Sequence, residues 1–260
     1  MSPSNSATQA QPQRIYLRLT WQYLAAFAAL TILCGTSHEF VHHFTGAAIC
    51  GRFGLKTFNS FDLAPGCDSN PWSVWATVAG PLFTFALMWW GLVLLRSEDE
   101  RRRRLGFALI FANFPVNRMG FVLFGSNDEQ WVARQLFGHS HLAFWATILI
   151  VWAACVPPLV AAYRAIGNRH RPLWFAGFFL LPFAFVIVFA GVFLENYLLL
   201  ARHVLATRVL GVPYLIILVE VLSLVIYRVF RAHLTQVDGR RPPRPLRPRA
   251  APGVVIPTPE

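Results

Sequence analysis

The chain has 260 residues, of which 55% are hydrophobic and only 13% charged, with 23 Phe, 9 Trp and a mean hydropathy of +0.47. That balance excludes an ordinary soluble domain and fits an all-α, polytopic membrane helix bundle. The net charge of +11 does not call for nucleic acid, because the arginines gather between apolar stretches and in the tail GRRPPRPLRPR, where anionic headgroups are the natural partners.

In chain order, a polar tail over residues 1–14 lacks a short apolar segment with a cleavage site, so the first apolar stretch is expected to stay in the mature protein. A membrane domain over 15–235 follows, with six stretches of roughly 20 apolar residues, near 19–44, 72–95, 105–125, 142–163, 173–195 and 209–230. Residues 236–260 are rich in Pro and Arg and are expected to be disordered. With both termini placed in the cytoplasm, 17 Lys and Arg fall on that side and 5 on the other, with Arg118 inside the third stretch. The bias orients the chain.

The end of the first stretch reads SHEFVHHFTG, residues 37–46. On a helix, His38 and His42 share a face, and Glu39 is turned by about 100° so that it meets a water beside a metal rather than the metal. Two His and a carboxylate are a zinc set with one open position, and Glu39 is the general base for amide hydrolysis. Four ionisable groups within six residues of a membrane span are costly and point to function. His38 lies 20 residues from Arg18, about 30 Å along a helix, and so near the outer boundary. Asp128, in FGSNDEQ, reaches the same level past Pro115, which is expected to break or kink the third span. Glu129, Glu195 and the pair His139 and His141 are alternative third ligands at that depth.

The pattern of His38-Glu39-Phe40-Val41-His42 in one span, AGPLFTF from Ala79 in the next, and FANFPVNRMGFVLFGSNDE in the third resembles the site-2 protease family of intramembrane zinc metalloproteases. The resemblance covers about residues 36–130 and implies a catalytic core near 19–130. It implies zinc on His38, His42 and Asp128, Glu39 as base, and membrane-protein or transmembrane-peptide substrates. Three features depart from the family: Thr84 stands where an Asn is usual, Asn113 and Pro115 are spaced differently, and Asp128 is followed by Glu129 rather than Gly. The charge bias also puts the site near the extracytoplasmic face of what is expected to be a bacterial cytoplasmic membrane, whereas known members often hold it closer to the cytosol.

Other polar groups are accessory candidates. Asn113, Asn117 and Arg118 either pair within the bundle or line a wet cleft. Cys50 and Cys67 flank the first outer loop and either close it as a disulfide or stay free thiols; an oxidising outer compartment favours the bond. Glu220 lies about 18 Å into the bilayer from Arg208, with no partner evident in sequence. Two rival readings exist. His38, His42 and His43 also resemble one histidine box of membrane di-iron desaturases and hydroxylases, with His139, His141 and His203 as helpers, although those enzymes use about eight histidines. The other rival is a membrane scaffold that binds a metal without catalysis.

Overall fold

A computed structural model describes residues 14–236. The expectation of disorder for the C-terminal tail falls almost wholly outside the described residues. The elements are α1 (Trp21–Cys50), α2 (Val74–Leu95), α3 (Glu100–Ala112), α4 (Pro115–Phe124), α5 (Asp128–Phe137), α6 (His141–Ala165) and α7 (Arg171–Phe185), which continues as a π-helical run (Val186–Ala201). A two-residue hairpin, β1 (Arg208–Val209) with β2 (Val212–Pro213), leads into α8 (Tyr214–Leu234). Five helical stretches are long and apolar enough to cross a membrane: Trp21–Cys50, Val74–Leu95, Glu100–Phe137, His141–Ala165 and Arg171–Ala201. The sixth expected stretch differs at its start, because residues 208–213 turn as the hairpin before α8 begins. Its 21 residues include three charged side chains, Glu220, Arg228 and Arg231.

Helix α1 starts on Thr20, whose side chain accepts from the Tyr23 N–H at 3.2 Å, and stops at Gly51 in the left-handed region, φ 70°. It runs through the middle of the bundle, packed along α8 and α2. Its first half enters a core with Phe107, Ile110 and Phe111 of α3, Val151 and Cys155 of α6, and Phe178 of α7. Further along, Ile32 joins a second cluster with Phe58, Ala190, Leu194, Val212 and Ile216. His38 sits 17 residues into the helix, about 26 Å along it.

Without a hydrophobic drive between helices in lipid, close backbone approach holds α2 to α3. They cross at Gly91 and Gly106, where a Cβ on Gly106 would lie 2.4 Å from the Gly91 carbonyl oxygen. The third span is not one helix. At the end of α3, Asn113 turns its amide back to donate to the Leu109 carbonyl at 2.8 Å, and Phe114 takes a positive φ of 32° before Pro115 opens α4. Gly125, φ 70°, ends α4, and Asn127 caps α5 by accepting from the Gln130 N–H. The break expected at Pro115 thus becomes two breaks, and the staggered pieces carry Arg118 and Asp128 to the level of the α1 histidines.

Candidate metal centre

His38 and His42, one turn apart on the buried face of α1, bring their rings within 4.5 Å of each other at an angle of 88°. Asp128 is the first residue of α5 and meets both. The distances are 2.9 Å between His38 Nε2 and His42 Nε2, 3.2 Å from His38 Nε2 to Asp128 Oδ2, and 3.6 Å from His42 Nε2 to the same oxygen. Three ligands at about 2.05 Å in a tetrahedral zinc shell are about 3.3 Å apart. The triangle matches that spacing on every edge to within a few tenths of an ångström. It is the only convergent group of three or more His, Cys, Asp or Glu side chains among the described residues.

The partners behind the ring nitrogens fit the same role. His42 Nδ1 lies 2.7 Å from the Ala76 carbonyl oxygen, which can only accept, so the proton sits on Nδ1 and the Nε2 lone pair faces Asp128. Thr84 Oγ1 lies 2.9 Å from His38 Nδ1, placed to accept its proton, so that the Nε2 lone pair faces Asp128 with Arg118 Nη2 beside it. Two lone pairs and a carboxylate then point at one spot, which calls for positive charge there; the Arg118 guanidinium supplies part of it, on Asp128 Oδ2 and His38 Nε2, and leaves His42 Nε2 facing the same point. The donor set therefore fits a divalent metal of the zinc type.

Phe61 stacks on the far side of the His42 ring, centroids 4.4 Å apart. Opposite it, the AGP segment of α2 has a steric reason for its glycine. A Cβ at Gly80 would lie 2.2 Å from His42 Nε2 and 2.7 Å from His38 Cε1. Since the obstacles are the ligand rings, they would have to give way. Gly80→Ala is expected to cost about 1–3 kcal/mol of stability by overpacking and to lower metal content together with it; thermal unfolding and elemental analysis of the purified variant measure both.

Glu39 and Asn117 line a cleft of about 460 Å³ with His38, Arg118 and Asp128. The cleft opens between α1, α4 and the π-helical run, past Phe183, Ala190 and Gly191. Arg118 is buried and donates from Nη1 to Asp128 Oδ2 at 2.8 Å, with Nη2 against the His38 ring. Glu129 stands on Arg118 rather than on the histidines, its Oε2 3.7 Å from Nη1, and accepts from Asn127 Nδ2. The adjacent carboxylates thus share Arg118, and only Asp128 also reaches the histidines.

Other candidates lie elsewhere. Asn113 is spent on its own helix. His43 faces away from the pair and bonds the Leu210 carbonyl oxygen through Nε2 at 2.9 Å, stacked on Phe53. Exposed His139, His141 and His203 do not join it, which removes the multi-box arrangement among the described residues. Glu195 stands outside the His38–His42–Asp128 group: it accepts from Thr57 Oγ1 at 3.1 Å and from Asn59 Nδ2, tying the loop between α1 and α2 to the π-helical run. Cys50 and Cys67 are bonded across the 17-residue separation of that loop. Glu220 remains without a hydrogen bond at Oε1.

Residues invisible as site components in the sequence include Ala76, whose carbonyl leaves no side-chain signal, and Lys56. Lys56 is the single lysine in the chain and is fully buried in the loop between α1 and α2. Its Nζ donates to the Thr57 carbonyl at 2.9 Å and lies 4.4 Å from the centre of the Phe40 ring. Burial lowers its pKa to about 8, against the pull of Glu39, Glu220 and Glu195, which favour the charged amine. The folded value lies below the ordinary one, so the charged amine is a burden on folding below pH 8 that is relieved as pH rises from about 8 towards 10.5.

Comparison with known proteins leaves the site to speak through its own geometry: no family model, no curated protein and no solved structure matches the chain.

Proposed function

We propose that the protein is an intramembrane zinc metalloprotease of the site-2 protease kind, cutting peptide bonds of membrane-associated substrates. The observation that carries this reading is the convergence of His38 Nε2, His42 Nε2 and Asp128 Oδ2 at zinc spacing, with Glu39 in the same cleft. Two imidazoles and one carboxylate suit zinc, and they leave a position open for chemistry. Bound there, zinc would polarise the scissile carbonyl and lower the pKa of a neighbouring water.

The chain's own groups do the rest. Thr84 and the Ala76 carbonyl hold the imidazoles in the ligating tautomer. Water adds through oxygen to the carbonyl carbon while its proton passes to a carboxylate oxygen of Glu39. The C–N bond then breaks as Glu39 returns that proton to the departing nitrogen. Apolar walls from Ile32, Phe58, Phe121 and Ala190 admit an extended apolar segment and limit water to the polar floor.

Orientation belongs to the same proposal. The 17 to 5 split of basic residues puts both termini in the cytoplasm and the Cys50–Cys67 loop outside, where a disulfide persists. A reporter fused at Ser60 is expected to behave as extracytoplasmic; cytoplasmic behaviour would invert the topology.

Comparing the membrane proteome of cells carrying the wild type with that of cells carrying Glu39→Gln tests the activity. An uncut membrane protein should accumulate in the variant. Identical proteomes would leave a metal-binding scaffold as the better description.

A further inference from the structure

We infer that Arg118 is the anion-binding group of the cleft, holding the tetrahedral oxyanion that forms on the scissile carbonyl; this rests on the reading of the site as a metal-dependent hydrolase. Arg118 is only 6% exposed and is the one Arg or Lys among the described residues that line the cleft. A permanent cation buried at this depth is expensive, and Asp128 and Glu129 offset part of that cost.

Its existing partners do not use it up. Nη1 bonds Asp128 Oδ2 at 2.8 Å and Nη2 meets the His38 ring, so the guanidinium lies along the His38–Asp128 edge of the ligand triangle. Nη1 and Nη2 each carry a second N–H beyond the bonds to Asp128 and His38, and Arg118 lines the cleft, so donor capacity is left over in a group that carries five N–H bonds. Both groups it touches are those that would face a metal, and Asp128 cannot give its full charge to a metal and to Arg118 at once. Glu129, 3.7 Å from Nη1, is then the carboxylate that keeps the guanidinium charged and in place. Glu129 Oε1 is itself buried and unpartnered. Asp128 and Glu129 thus divide the work between metal and arginine.

Chemically, amide hydrolysis moves negative charge onto the carbonyl oxygen, and a preorganised forked donor in a site shielded from water stabilises that charge far more than it would in water. The ligand class is a tetrahedral or planar oxyanion. Neutral ligands gain less from Arg118 than anionic ones.

The test uses the full chain in detergent, loaded with cobalt(II), whose visible absorption reports ligands at the metal. Wild type, Arg118→Met and Arg118→Lys are titrated with methylphosphonate, an anionic tetrahedral probe, and with imidazole, a neutral one. Arg118→Met is expected to keep cobalt and its imidazole response while methylphosphonate binding weakens about 10- to 100-fold, the range for loss of a charge-assisted bond. Arg118→Lys, which keeps the charge without the fork, should weaken it several-fold, and it carries the test should Arg118→Met not fold. Wild-type methylphosphonate binding in either variant would overturn the inference. So would parallel loss of cobalt and of both probes, which would make Arg118 a positioning residue for Asp128. No hydrolysis is read, so an intact probe response alongside unchanged membrane proteomes would sink the protease reading and leave the anion site standing.

Discussion

Replacing Glu39 by Gln is expected to lower substrate turnover by about 10²- to 10⁴-fold, the range a positioned general base contributes, while leaving the metal content unchanged. Glutamine keeps the size of the side chain and its place in the cleft but cannot take a proton from water or hand one to the leaving nitrogen. Glu39 does not belong to the triangle of ligand atoms, so the metal shell has no reason to change. Single-turnover cleavage of a membrane substrate, with zinc measured on the same preparation, separates these effects. A drop in rate that tracked a drop in zinc would make Glu39 a structural group.

The second large effect is expected at Asp128. Asp128→Asn replaces the one anionic member of the triangle by a neutral amide, and metal affinity should fall by more than the roughly 10- to 100-fold that loss of an outer partner costs. The amide oxygen can still accept from Arg118, so the break between α4 and α5 should hold its shape. Glu129→Gln is expected to keep the metal, because Glu129 meets Arg118 and not the histidines. Glu195→Gln should keep it as well and instead loosen the loop between α1 and α2, whose Thr57 and Asn59 it holds. Metal content of the three variants distinguishes the carboxylates. Zinc retained in Asp128→Asn and lost in Glu195→Gln would place the third ligand on the wrong helix.

Much of this architecture could be read before any coordinates because membrane spans obey simple length and polarity limits. The helical i, i+4 relation of His38 and His42 depends on backbone geometry alone, and the helix length from Arg18 set their depth. Asp128 followed by the same measure. What could not be read depended on contacts between distant residues. Pro115 signalled one break, but the positive φ at Phe114 and the second break at Gly125 accompany the fitting of two short helices against α6, with α4 also on α7 and α5 on α2. The run at 209–213 is apolar enough to pass for the start of a span, yet Gly211, φ 79°, lets it turn as a hairpin that receives bonds from Lys56 and His43. Thr84 looked like a loss because the resembling family has Asn there. Its hydroxyl nonetheless lies where His38 Nδ1 needs a partner. Asn113, a candidate by its polarity, is consumed by the turn it ends, and Glu195, at suitable depth, is on the wrong side of the cleft.

The most direct test is the metal content of the purified full chain after exposure to zinc and dialysis, compared with His42→Ala. About one zinc per chain in the wild type, largely lost in His42→Ala, is the expected result. A wild type that holds no zinc, or a His42→Ala variant that keeps all of it, would contradict the assignment of His38, His42 and Asp128 as a metal centre.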